Sequence, residues 1–170
     1  AWELKLGLIL IPTLAYGWLL LNQPFPATEG VRAGVSVGEM FRASFATPLM
    51  WVMLVAMVMT ASVELGPNRW VPAVLEAGGM AGILVLVWIN GLMAVLRFRA
   101  GPVVKQLSPT GILLASAALS GVGLFGLSLG GAGLATFGSA TVFAVGVCYF
   151  WPTMLGVVSE RVPRSGALGL

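Results

Sequence analysis

The sequence predicts an all-α membrane protein with five transmembrane helices, and three observations carry that expectation. Of 170 residues, 58% are hydrophobic and 9% are charged, whereas an average soluble domain is roughly 25% charged. The apolar residues form continuous charge-free runs, not the alternating segments of about ten residues that a barrel strand needs. The few cations gather in the short connections between those runs. A soluble fold of this size would have to hide nearly every face of every helix, which surface-to-volume scaling forbids.

The same composition excludes several kinds of chemistry. There is no His and no Asp, and Cys148 is the only cysteine. A His/Cys metal site, a Ser-His-Asp triad and a disulfide within the chain are therefore ruled out. The expectation is a protein that is not an enzyme and carries no cofactor. The net charge of +3 reflects membrane orientation and contact with lipid, not nucleic-acid binding, because the cations are confined to loops. The chain opens on Ala1-Trp2-Glu3 with no basic leader, so the first apolar run does not read as a signal peptide. Its close, residues 165–170, reads as the start of another small-residue helix and suggests a piece of a longer protein.

A span needs about 20 apolar residues to cross a core of about 30 Å. Residues 6–28 are uncharged, with 6–21 as the apolar body of span one and Pro12 inside it. Residues 22–44 form the longest polar connection, with Glu29, Arg32, Glu39 and Arg42. Within it, Ser36-Val37-Gly38-Glu39 has the spacing of a capping box before a short amphipathic helix. Span two is expected over 45–65. A polar break at Gly66-Pro67-Asn68-Arg69-Trp70 then separates it from span three, 74–96. Next comes a basic elbow, within residues 91–112, carrying Arg97, Arg99 and Lys105 and no acid.

Residues 106–159 contain no charge. As one straight helix they would reach about 80 Å, far beyond a bilayer. The Gly-rich stretch 129–133 is the natural breaking point, giving span four over 110–128 and span five over 134–158, with Pro152 bending the latter. With this division Arg32, Arg42, Arg97, Arg99, Lys105, Arg161 and Arg164 share one side, while Lys5 and Arg69 lie on the other. Seven cations against two place the elbow in the cytoplasm.

This order of elements, with Glu64-Leu65-Gly66-Pro67-Asn68-Arg69-Trp70, Ala100-Gly101-Pro102, Cys148-Tyr149-Phe150-Trp151-Pro152-Thr153-Met154-Leu155-Gly156 and Ser159-Glu160-Arg161-Val162-Pro163, resembles the middle and second half of a major facilitator superfamily permease. The likeness is to sugar-permease-like bacterial members. It implies a fragment from helix six to the start of helix eleven of a twelve-helix fold. Residues 1–28 would close the first half, 29–44 would be the cytoplasmic linker between halves, and 45–170 would be an incomplete second-half bundle.

The resemblance further implies a multi-pass inner-membrane secondary transporter that moves a small polar solute, a sugar, by alternating access. A proton or sodium ion would couple the transport, and the missing first half of the chain would complete it. The competing expectations are an exporter of amphipathic drugs or metabolites and a non-transporting helical scaffold. One departure matters. The family's inner elbow commonly places an acid four residues after its Gly, whereas here Gly101 is followed at that place by Lys105, so its acid-dependent lock is not carried over.

The residues expected along a substrate pathway are Glu64, Asn68, Asn90, Thr141 and Tyr149. Glu64 is expected at the outer end of span two, beside a Gly66-Pro67 step that can unwind a helix. There it either takes a proton or pairs with Arg69, or it merely meets interfacial water. Asn90 lies deep in span three and needs a partner, either an adjacent helix or a water-filled cavity. In span five Thr141, Cys148, Tyr149 and Pro152 form a polar seam. Tyr149 faces either a solute or the interfacial aromatic belt, Trp151 belongs to that belt, and Cys148 reads as a small buried hydrophobe. Arg97, Arg99, Gly101 and Lys105 make the cytoplasmic elbow, and Gly78/Gly82 and Gly126/Gly130 are close-packing pairs between helices.

Overall fold

In the computed structural model, residues 2–24, 26, 32, 34–129 and 133–165 are described, and they build eight helices. These are α1 (Trp2–Leu20), α2 (Val37–Ala46), α3 (Pro48–Ala77), α4 (Gly82–Phe98), α5 (Ala100–Gln106), α6 (Pro109–Ser128), α7 (Leu134–Val147) and α8 (Phe150–Arg161). No strand occurs among the described residues. Among the described residues, three segments are long and apolar enough to cross a membrane: α3, α6 and the α7–α8 pair as one 28-residue run. The apolar helices Leu6–Leu20 and Gly82–Phe98 are shorter. Glu29, Gly130 and the side chains of Lys5 and Lys105 lie outside the described residues.

Several local expectations hold. Ser36 caps α2 through a complete capping box: Glu39 N donates to Ser36 Oγ at 3.3 Å, and Ser36 N donates to Glu39 Oε2 at 2.8 Å. The long uncharged run divides where its glycines lie, between Ser128 and Leu134, with Gly133 at φ 76. A feature not among those expectations is the start of α6, where Ser108 accepts from Gly111 N at 3.1 Å and Pro109 occupies the first helical turn, in which its missing N–H costs nothing.

The expected break at residues 66–70 does not occur, and this is a correction. α3 runs unbroken through Pro67 and Pro72, and the chain reverses at residues 78–81 instead. Span two is therefore longer than expected, and span three begins at Gly82. The reason is packing. Thr60, Glu64, Pro67, Val71 and Leu75 are all buried, at helical spacing, on one stripe that passes straight through both prolines. Burying that stripe against neighbouring helices outweighs the one helical hydrogen bond each proline removes. A reversal, by contrast, needs a left-handed residue, and Gly79 provides it at φ 81.

α3 and α4 then close into a hairpin so tight that a Cβ at Gly82 would strike the backbone of Pro72. Among the described helices, α6 and α7 pack against each other most extensively. Gly123 lies against the backbone of Phe143, Gly146 against Ser120, and Gly126 against Ser139. Small residues allow this approach, and it replaces hydrophobic driving force where lipid is as apolar as the core.

The two hairpins stack side by side, and α4 runs parallel to α7 in a constant register. Trp88 Nε1 donates to Thr141 Oγ1 at 2.9 Å, Tyr149 OH donates to Leu96 O at 3.4 Å, and Arg97 Nε donates to Cys148 O at 2.9 Å. The shared core between them holds Val85, Ile89 and Met93 of α4 with Ala140, Phe143, Ala144 and Val147 of α7. A second, smaller core joins the first half of α3 to α8 through Met50, Met53, Met57 and Met154. All described side chains of α1 from Leu6 onward are exposed.

Candidate functional site

The α7–α8 run contains a discontinuity at Cys148 and Tyr149, between Val147 and Phe150. Tyr149 takes φ −102 and ψ −4, away from helical values. Pro152 explains the place. It has no N–H, so the carbonyl four residues earlier, that of Cys148, has no helical donor. In a membrane interior such an orphan must be satisfied by a neighbour. Arg97 Nε does so at 2.9 Å.

The same guanidinium reaches a second helix. Arg97 Nη2 donates to Glu64 Oε1 at 3.0 Å, the only salt bridge among the described residues. Glu64 is 8% exposed and the Arg97 side chain 38%. One arginine thus clamps α3, the end of α4 and the break between α7 and α8. The fork of the guanidinium suits this, since separate N–H groups serve the carboxylate and the carbonyl at once. Glu64 Oε2 is buried with no hydrogen-bond partner among the described residues, as is Thr153 Oγ1 on α8.

Counting residues from the two reversals, at ~1.5 Å of rise each, sets Glu64, Arg97 and Cys148 all about 20–24 Å down the bundle. Glu64 is therefore not at the end of a span beside an unwound step, as the sequence suggests, and its partner is Arg97, not Arg69. Arg69 is exposed on α3. Arg97 in turn is less an elbow cation than an internal clamp. Arg99 and Gly101 are exposed at the elbow.

The remaining expected pathway residues do not gather round the clamp equally. Tyr149 is 8% exposed and bonds to Leu96 O, so it joins the clamp and not an interfacial belt. Thr141 lies two turns away, half-buried, accepting from Trp88 Nε1 and donating to Phe137 O at 2.8 Å. Asn68 is half-buried, one turn beyond Glu64 on α3. Asn90 is exposed and donates to Leu86 O of its own helix at 2.9 Å, outside the buried face formed by Val85, Ile89 and Met93. Pro152 itself is exposed, and Cys148 is fully buried.

The functional atom that sequence reasoning passes over is the carbonyl of Cys148. A signal for it exists, because Pro152 marks that carbonyl as the one lacking a donor. Set beside known proteins, the chain matches no family model, no curated protein and no solved structure.

Proposed function

We propose that this chain is part of a secondary transporter of the inner membrane, crossing it five times and moving a small polar solute, sugar-like, by alternating access. The observation that carries the proposal is the Glu64–Arg97–Cys148 clamp at a helix discontinuity. Transporters build polar sites from broken membrane helices whose freed backbone groups are turned to use, and intramembrane ionisable residues mark such sites. The methionine contact of α8 with α3 adds support, since unbranched thioether side chains re-pack readily when a helix segment moves. The major facilitator resemblance supplies the sugar-like solute and the missing first half, against which the exposed sides of α1 would pack.

In this reading Glu64 is the proton carrier. Protonating it releases Arg97 from α3, which frees α8 to tilt about the break. The test is uptake of a panel of labelled sugars by vesicles containing the complete protein, with and without a pH gradient. Glu64→Gln is expected to abolish accumulation while sparing exchange. Accumulation that persists unaltered in this variant rules out the proton-carrier role, and no uptake of any solute by the wild type rules out transport.

A second reading, a non-transporting helical scaffold, is favoured by one set of facts. Asn90 bonds within its own helix on the exposed face, and Glu64 pairs with an adjacent helix. A scaffold would show clamp-dependent stability with no solute flux at all.

A further inference from the structure

A cleft of about 1040 Å³ opens between α2 and the end of α8, and its lining includes Glu39, Arg42, Arg161 and Arg164. We propose that this cleft binds a phosphate group, that of the headgroup of an anionic phospholipid in the adjoining leaflet. Charge, ordered walls and depth point to that ligand independently of transport.

The charge is unbalanced. None of the three arginines makes an ion pair among the described residues, and all three are exposed. The one acid lining it, Glu39, accepts at Oε2 from both Ser36 N and Ser36 Oγ, at 2.8 and 2.9 Å, and its charge also acts on Arg164, which leaves the three arginines in excess by two charges. Arginine presents a planar fork of donors that matches phosphate oxygens, and arginines from separate elements lining one cleft favour a polyoxygen anion over a chloride ion.

The walls are built structure. α2 is fixed by its capping box and by buried Met40, and the far wall by buried Val162 and Ser165, whose Oγ donates to Val162 O at 2.6 Å. Arg42 and Arg161 are thus brought to one cleft by elements far apart in sequence. Depth supplies the source of the phosphate. α3 and the α7–α8 run have 30 and 28 residues, so each extends about 42–45 Å from the reversals, past a hydrocarbon core of about 30 Å. Their far ends, which carry the cleft, therefore stand at headgroup level. Basic pockets between membrane helices at that level are suited to anionic headgroups.

The test is native mass spectrometry of the detergent-purified protein titrated with dioleoyl phosphatidylglycerol, with dioleoyl phosphatidylcholine and with inorganic phosphate. Arg42→Gln and Arg161→Gln are compared with Arg99→Gln, an exposed elbow cation outside the cleft, and with Arg42→Lys. Phosphatidylglycerol is expected to bind in preference to phosphatidylcholine, with each cleft variant weakening it about five-fold, Arg99→Gln leaving it unchanged and Arg42→Lys keeping part of it. Binding of inorganic phosphate alone, with the same arginine dependence, would keep the phosphate site but assign it a soluble source. Equal binding of the two lipids, or an equal loss in Arg99→Gln, overturns the proposal. Helical content by circular dichroism, unchanged in the variants, ties any loss to the cleft.

Discussion

Arg97 Nε lies 2.9 Å from the carbonyl oxygen of Cys148, the acceptor that Pro152, four residues further on, leaves without a helical donor. The side chain that compensates this defect is also the one that neutralises Glu64. A local fault in one helix and a buried charge in another are thus resolved by a single residue on a third.

The first expectation concerns that coupling. Removing Arg97 leaves a buried carboxylate and a bare carbonyl, whereas removing both charges leaves only the carbonyl. Arg97→Gln is expected to lower stability by up to about 3 kcal/mol, the partial exposure of Arg97 limiting the loss. The loss in the double variant with Glu64→Gln should fall short of the sum of the two single losses by about 1 kcal/mol or more. Thermal unfolding in detergent of the two single variants and the double measures this. Strict additivity would mean that the two side chains do not interact.

Pro152→Ala gives Cys148 O a backbone donor. The residue at 152 can then bond four residues back, and α7 and α8 are expected to join into one helix. In that background Arg97→Gln should cost less than in the wild type, by roughly the 1–3 kcal/mol of one unsatisfied buried acceptor. An unchanged cost would show that the carbonyl is not part of what Arg97 stabilises.

The α6–α7 pair makes a sharper steric forecast. A Cβ at Gly123 meets the backbone of Phe143, and one at Gly146 meets that of Ser120, while at Gly121 nothing lies within 4 Å. Gly123→Ala and Gly146→Ala should each destabilise by about 1–3 kcal/mol through overpacking. Gly121→Ala should be neutral or stabilising by up to about 1 kcal/mol, because alanine is the better helix former. Ranking the three by melting temperature tests the packing directly, and destabilisation by Gly121→Ala equal to the others would contradict it.

The capping box of α2 gives the pH dependence. Hydrogen bonds from Ser36 backbone and side chain hold the Glu39 carboxyl below the usual glutamate value. A depressed folded value means that the stabilisation is complete above the unfolded value and is lost as pH falls through the lower, folded one. Amide protection at Ser36 and Glu39, corrected for the intrinsic pH dependence of exchange, should therefore fall on acidification through that window in the wild type. In Glu39→Gln it should show no such step, and a step of the same size there would assign the titration to another group.

The sequence by itself determined that the chain is helical, that its longest helices are long and apolar enough to cross a membrane, where the 106–159 run divides, and how α2 begins. All of these follow from short-range chemistry: continuous apolarity, glycine's freedom at positive φ, and a side chain three residues from its cap. Only the tertiary structure decided that α3 passes through Pro67 and Pro72, because the stripe Thr60–Glu64–Pro67–Val71–Leu75 finds a partner surface that no local rule contains. Moving the reversal from residue 66 to Gly79 then slides α3 along α4 by several turns, and that shift is what brings Glu64 level with Arg97. Which charges meet across a bundle depends on where each hairpin turns, and the turn is chosen by what the helices bury against one another.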